Sequence, residues 1–190
     1  MRTHTLTLAV LLGLAPAIGA QSPSRWVTPE VRPLVGAYVP TGPMRDAFKP
    51  ATMLGAQFGL ELSRNFHVLA TGTWTHGHDK FDFSTDRVNI WQYDAGVEGN
   101  LVRTLSEDWL LRPFVGAGAG GRTYDYRAAG VGTRSCTAGY GALGSEFQTG
   151  AYALRVEARD YLSCFESPVT GKRRTRNDFG LSLGVAYHVR

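Results

Sequence analysis

The feature that most constrains this chain is an alternation of apolar and polar residues that recurs in segments of about ten residues. The clearest segments are Met53–Ser63, Asn89–Val102 and Asp178–Arg190. An extended strand places successive side chains on opposite faces. Each segment therefore predicts a strand with one apolar face and one polar or small-residue face.

Weaker copies of the same pattern fill the rest of the chain and bring the total to eight segments. They are Glu30–Val39, Phe66–Thr75, Arg112–Arg122, Ala138–Gln148 and Tyr152–Tyr161. A tilted strand of about ten residues is long enough to cross a bilayer. The pattern therefore predicts an all-β domain over residues 30–190, an eight-stranded antiparallel up-and-down transmembrane β-barrel.

The connections between these segments alternate strictly between short and long. Residues 63–65, 103–108 and 149–150 are short, whereas 40–52, 76–88, 123–135 and 162–177 are long. A meander with both termini at one end requires this alternation, with short periplasmic turns and longer extracellular loops. Connection length therefore supports the barrel independently of hydrophobicity, and it predicts four extracellular loops.

The first residues predict export to the bacterial cell outer membrane. Residues 1–20 combine an early cation at Arg2, an apolar run over Leu6–Leu14 and small residues before Gln21, which is the layout of a cleaved signal peptide. Residues 21–29 would form a short N-terminal extension. Without Arg2 the formal charge falls from +4 to +3, which is too small and too localised to indicate nucleic-acid binding.

The polar faces decide which side of the barrel meets lipid. Glycine and alanine crowd them beside charges, which suits a narrow interior better than the outer surface of a soluble lipocalin-like barrel. We therefore expect the interior to be closed by ion pairs, because isolated buried charges are costly. The expected charge network contains Glu61, Asp94, Glu98, Arg112, Arg122, Glu146, Arg155, Glu157 and Arg159.

Three stretches resemble the small outer-membrane barrels of the OmpA/OmpX and opacity-protein type. They are Arg112–Gly121 (RPFVGAGAGG), Leu154–Tyr161 (LRVEARDY) and Gly180–Tyr187 (GLSLGVAY). The resemblance covers the whole chain after the signal peptide. It implies a barrel scaffold on which the loops carry varied adhesive or protective roles.

Two cysteines, Cys136 and Cys164, are predicted to form a disulfide, with two unpaired thiols as the alternative. Exported proteins meet an oxidising compartment in which a disulfide persists. Cys136 would lie just before the sixth predicted strand and Cys164 just after the seventh. The outer ends of those neighbouring strands meet across one hairpin, so the geometry suits a bond.

A basic cluster in the fourth long loop comprises Lys172, Arg173, Arg174 and Arg176. Besides the lipid of the outer membrane itself, the predicted partners are anionic lipid headgroups or acidic surface polymers that this loop would contact. A solvated loop without a partner is the alternative interpretation.

Three further motifs bear on cofactor, metal or catalytic sites, and none of them predicts one. Gly116, Gly118 and Gly121 fit the dinucleotide fingerprint, but no helical pattern follows them, so we expect no nucleotide cofactor and assign the glycines to interior packing. His76, His78 and Asp79 could ligate zinc, yet no further ligand is evident and we predict no metal site. No serine, histidine and acid stand together as a nucleophilic set, so no catalytic residue is predicted.

These patterns predict a non-enzymatic structural or surface-interaction protein. The alternatives are a narrow channel or small-solute binder that uses the charged interior and, third, a lipid-modifying enzyme.

Overall fold

A computed structural model describes residues 28–80, 87–127, 132–167, 171 and 173–187. Most of these residues lie in nine antiparallel strands, and one 3₁₀ helix (Gly42–Asp46) follows the first strand. The strands are β1 (Thr28–Pro40), β2 (Ala51–Ser63), β3 (Phe66–Gly77), β4 (Val88–Asn100), β5 (Arg103–Ser106), β6 (Trp109–Tyr126), β7 (Arg134–Thr149), β8 (Tyr152–Glu166) and β9 (Arg173–Tyr187).

Eight of these strands form one closed ring. Each long strand pairs with its neighbour along the chain, and β1 pairs with β9. The strand β4 pairs directly with β6, while the four-residue β5 extends the turn between them as a hairpin on β6. The prediction of an eight-stranded antiparallel up-and-down barrel is confirmed.

The two ends of the barrel differ in their connections. The connections β1–β2, β3–β4, β6–β7 and β8–β9, each of six to ten residues, lie at the end we call the long-loop end, while the eight-residue β4–β6 connection at the other end includes the β5 strand. The connections β2–β3, β4–β6 and β7–β8 lie at the short-turn end, where residues 64–65 and 150–151 form tight turns. No helix within the described residues is long and apolar enough to cross a membrane.

The alternation of the sequence becomes an apolar outer surface and a polar interior. Large apolar side chains stay exposed around the wall, including Val35, Trp91, Tyr93, Leu143 and Leu183. Arginines and carboxylates are buried instead, the reverse of a soluble globular protein. The aromatic side chains Trp91, Tyr93 and Phe179 also lie on the outer face, at 51%, 55% and 37% exposure.

Several strands run further toward the long-loop end than the sequence predicts. Cys136 and Cys164 lie inside β7 and β8, and Arg173, Arg174 and Arg176 lie inside β9, so their assignment to loops is corrected. In β9 both faces of the extension, residues 173–177, are polar, which removes the alternation there. Backbone pairing continues without it, as between Glu166 and Arg173. Residues 1–27, which hold the predicted signal peptide, and Lys172 lie outside the described residues.

Candidate functional site

The interior charges begin near the short-turn end with Arg32 of β1. Its guanidinium binds the carboxylates of Glu30 and Glu146, with 2.6 Å between Nη2 and Glu146 Oε2. Nη1 donates a hydrogen bond of 2.6 Å to Gln57 Oε1, and Gln57 Nε2 donates one of 3.2 Å to Thr71 Oγ1. Arg32 therefore joins β1 to β7 and, through Gln57, to β3.

The middle of the interior contains a continuous chain of ion pairs. Arg155 binds Glu98 and Glu157, and its Nη2 lies 2.6 Å from Glu157 Oε2. Arg159 binds Glu157 as well, and its Nη1 lies 2.8 Å from Asp94 Oδ1. Glu157 is thus shared by Arg155 and Arg159, each of which lies two residues away from it on β8. All five side chains are nearly inaccessible to solvent.

Arg122 of β6 forms the interior ion pair nearest the long-loop end. It is fully buried, binds the buried Asp178, and donates a 2.6 Å hydrogen bond from Nε to Gln92 Oε1. Its guanidinium lies 4.9 Å from the ring centre of Tyr161 and 5.7 Å from that of Tyr38. Such contacts stabilise a desolvated cation by about 2 kcal/mol each.

Each carboxylate in this part of the interior is paired with an arginine, as buried ions require. Four arginines face six carboxylates, and His67 Nδ1 lies 4.0 Å from Glu98 Oε1. Arginine also stacks on aromatic rings here, since Arg155 lies 3.5 Å from the Phe114 ring centre. We call this set the interior network: Glu30, Arg32, Asp94, Glu98, Arg122, Glu146, Arg155, Glu157, Arg159 and Asp178.

Seven of the nine charges expected in the interior are members of this network. Glu61 and Arg112 lie apart, as a 4.0 Å pair at the short-turn end whose side chains are 31% and 16% exposed. Sequence reasoning missed Glu30, Arg32 and Asp178. The available signal was the alternation itself, because Arg32 stands between the outward Val31 and Pro33.

Glycines on β6 make room for this interior. Gly116, Gly118 and Gly120 face inward, and a Cβ atom added at Gly118 would lie 2.6 Å from Cε1 of Tyr140. The same stretch carries the dinucleotide-like motif, and here it is a continuous strand with no helix after it. Of the three motif glycines, Gly118 packs against a large interior side chain, as the sequence indicated, whereas Gly121 faces outward against the exposed Tyr93 ring.

Above the interior network, an aromatic and apolar cluster fills the mouth at the long-loop end. The 3₁₀ helix turns the first long connection inward, so that Met44 and Phe48 are buried. The Phe48 ring stacks on Tyr124 at 5.5 Å and meets Phe165 edge-on at 5.7 Å between centres. We call this connection, residues 41–50, the cap. The sequence did not predict it.

Hydrogen bonds fasten the cap to other strands. Thr41 Oγ1 donates to the Asn177 carbonyl oxygen at 2.9 Å, and Arg176 donates to the Pro43 carbonyl oxygen. Lys80 Nζ donates to the Arg45 carbonyl oxygen at 2.6 Å. Arg176 also lies 5.0 Å from the Phe165 ring centre. It therefore serves the cap rather than a free basic loop.

Comparisons with known proteins agree with this architecture. No family model and no curated protein sequence matches the chain. Among solved structures, Neisserial surface protein A superposes with a TM-score of 0.61 at 13% identity, covering 85% of this chain and 96% of that one. The N-terminal β-barrel domain of Pseudomonas aeruginosa OprF superposes with a TM-score of 0.55 at 14% identity, covering 87% and 100%.

The chain has the fold of the small outer-membrane β-barrels. In an outer-membrane barrel the longer loops face outward and the short turns face the periplasm. We therefore expect the long-loop end, with the cap and the basic residues, to be the exterior end and the apolar wall to be the surface that meets lipid.

The two cysteines of this barrel lie near its exterior end. Cys136 faces the interior, beside the aromatic cluster, and its Sγ atom contacts the backbone oxygen of Cys164. Both thiols are free in the structure, and the disulfide stays a prediction.

The histidines singled out in the sequence lie on the outer wall near the same end. His76 and His78 are both exposed, with 6.1 Å between ring centres, and His76 Nδ1 lies 3.0 Å from Asn89 Oδ1. Asp79 turns the other way and is fully buried, so it does not join them. Within the described ranges, no group of three His, Cys, Asp or Glu side chains could hold a metal ion.

Proposed function

We propose that this protein is a non-conducting barrel of the bacterial outer membrane with a surface-interaction role. It would reach that membrane after cleavage of a signal peptide over residues 1–20. One observation carries the proposal: ion pairs join opposite walls of the interior at several heights, while the cap covers the exterior mouth. What remains for interaction is the exterior surface of the loops and strand ends.

The energetics of the interior network argue against a channel. A solute path would have to separate pairs such as Arg155–Glu98 and Arg159–Asp94, whose side chains are no more than 5% exposed. Breaking a buried pair by removing one partner costs about 3–5 kcal/mol. An eight-stranded barrel has an interior just wide enough for side chains to fill. The charged interior therefore supports the fold rather than transport.

The wall and the comparisons support the location. Exposed leucine, valine and aromatic side chains surround the barrel, as a lipid-facing surface requires. The superposed Neisserial protein is itself named a surface protein. We assign no enzymatic step to this chain.

Conductance in planar bilayers tests the proposal. The refolded protein should give no stepwise current, and neither should a variant that combines Met44→Ser with Phe48→Ser, because the interior network persists beneath the opened cap. Folded barrel protein changes its electrophoretic mobility on boiling, so a preparation that shows no such change is misfolded. Reproducible current steps from the folded wild-type protein would overturn the proposal and favour the narrow channel.

A further inference from the structure

Charge is distributed unequally between the two ends of the barrel. Among described residues at the long-loop end, nine cations accompany four carboxylates, a formal charge of +5. At the short-turn end, residues 61–66, 101–112 and 149–152 contain three of each. The long-loop cations are Arg45, Lys49, Lys80, Arg87, Arg127, Arg134, Arg173, Arg174 and Arg176, and the carboxylates are Asp46, Asp79, Asp125 and Glu166. The exterior end therefore attracts anions.

Four of these cations crown the wall formed by β6–β9, and we call them the basic rim: Arg127, Arg134, Arg173 and Arg174. Arg134 and Arg173 share one carboxylate, that of Glu166, at 3.4 Å and 3.1 Å. Both guanidiniums stay open to solvent, with 44% and 67% of the side chain exposed. Arg127 and Arg174 are exposed and form no ion pair with a described residue. The four guanidinium groups of the basic rim are therefore accompanied by one paired carboxylate, that of Glu166.

The height of the rim limits what it can contact. The β1–β9 ladder ends at the Pro40–Asp178 rung, whereas β8 and β9 stay paired for five more residues, as far as Arg173, so this part of the wall projects further outward than β1. On β8 and β9, the Leu162–Asn177 rung carries the last large apolar outward side chain, Leu162, which is 58% exposed. Arg173 lies four residues beyond that rung, about 10 Å along the barrel axis. The headgroup layer is only about 5–8 Å thick on each side.

We propose that the basic rim binds a polysaccharide that carries sulfate or phosphate groups and lies outside the lipid headgroup layer. Guanidinium groups pair with such oxyanions in bidentate fashion. The spare positive charge supplies the attraction, and the height of the rim favours a polymer over the headgroups of the surrounding membrane. This inference rests on the proposed surface role and names the partner class for it.

Binding of fluorescent dextran sulfate to the protein in phosphatidylcholine vesicles tests the inference. The triple variant Arg127→Ser, Arg173→Ser, Arg174→Ser should bind about a hundredfold more weakly, since each cation near an anionic surface contributes about fivefold. A matched variant at the short-turn end, Arg64→Ser, Arg103→Ser, Arg112→Ser, removes the same charge and should bind like wild type. Uncharged dextran should not bind either protein.

A second arm separates polymer from headgroup. If the rim bound lipid headgroups instead, phosphatidylglycerol in the vesicles would occupy its arginines, and the two triple variants would then bind dextran sulfate equally. We expect the difference between them to persist. Equal binding by both variants in neutral vesicles, or loss of the difference in anionic ones, would overturn the inference. Either result is compatible with a barrel that passes no current, so neither would overturn the proposed non-conducting surface role.

Discussion

Arg32 and Glu146 approach to 2.6 Å across the interior although two strands separate β1 from β7 in the sheet. The pair therefore ties together parts of the wall that no backbone ladder connects. Arg32 also neutralises Glu30 and holds Gln57. It is the one described arginine of the interior that β1 supplies.

Replacing Arg32 with Ala should lower the free energy of unfolding by about 3–5 kcal/mol, because the buried Glu146 and the half-buried Glu30 lose their counter-ion. Urea unfolding in lipid vesicles, followed by tryptophan fluorescence, measures the change. Arg64→Ala, in the exposed turn between β2 and β3, is the control and should change stability by less than about 0.5 kcal/mol. Equal unfolding midpoints for the two variants would contradict the assigned role of Arg32.

Arg122 and Asp178 offer a test of coupling, since both are fully buried and paired. Arg122→Met and Asp178→Leu should each destabilise the barrel by about 3 kcal/mol or more, whereas the double variant should cost less than the sum. A double-mutant cycle from urea midpoints gives the coupling energy. Additive losses would show that the two side chains act independently.

The sequence predicts the ring of strands because two signals agree. Alternation gives the faces of strands such as β2 and β4, and connection lengths give the up-and-down order. It does not predict that Arg32 meets Glu146. That contact depends on the tilt and stagger of strands around a closed barrel, which period-two alternation leaves unspecified.

The cap and the strand extensions escaped prediction for a different reason. The cap sequence around Met44 and Phe48 contains proline and charged residues typical of a solvated loop, and its burial depends on a mouth built from distant strands. Around Arg173 and Arg174, both faces of β9 are polar above the lipid, so alternation disappears while backbone pairing continues.

Gly118 should resist enlargement because its inward face is occupied. A Cβ atom there would meet Tyr140 Cε1 at 2.6 Å and the carbonyl oxygen of Ala95, so Gly118→Ala should destabilise the barrel by about 1–3 kcal/mol. Gly141 on β7 is the matched control, since no atom lies within 4 Å of an added Cβ. Thermal unfolding followed by the loss of heat-modifiable mobility compares the two. A larger loss for Gly141→Ala than for Gly118→Ala would refute the packing argument.

Phe48 should control how often the cap opens. Its ring is 1% exposed, and Phe48→Ala removes the contacts with Tyr124 and Phe165 that hold residues 41–50 down. Trypsin cleavage after Arg45 should accelerate by about tenfold or more, because local opening of the cap costs several kcal/mol less. Cleavage after Arg127, in another connection, is the internal reference and should keep its rate. An unchanged cleavage pattern would mean that hydrogen bonds alone hold the cap.

Cys136 and Cys164 should be bonded in protein recovered from the cell envelope. Their strands meet at the exterior end, the Cys136 sulfur already contacts the Cys164 backbone, and the compartment is oxidising. A bond between residues 28 apart stabilises the fold by about 3–4 kcal/mol in the chain-entropy description. Alkylation followed by mass spectrometry should label neither thiol before reduction and both after it. In Cys136→Ser the remaining Cys164 should label without reductant, which shows that the reagent reaches this site. Two labelled thiols in unreduced wild-type protein would establish that the cysteines are free and that hydrogen-bonded strands alone hold this rim together.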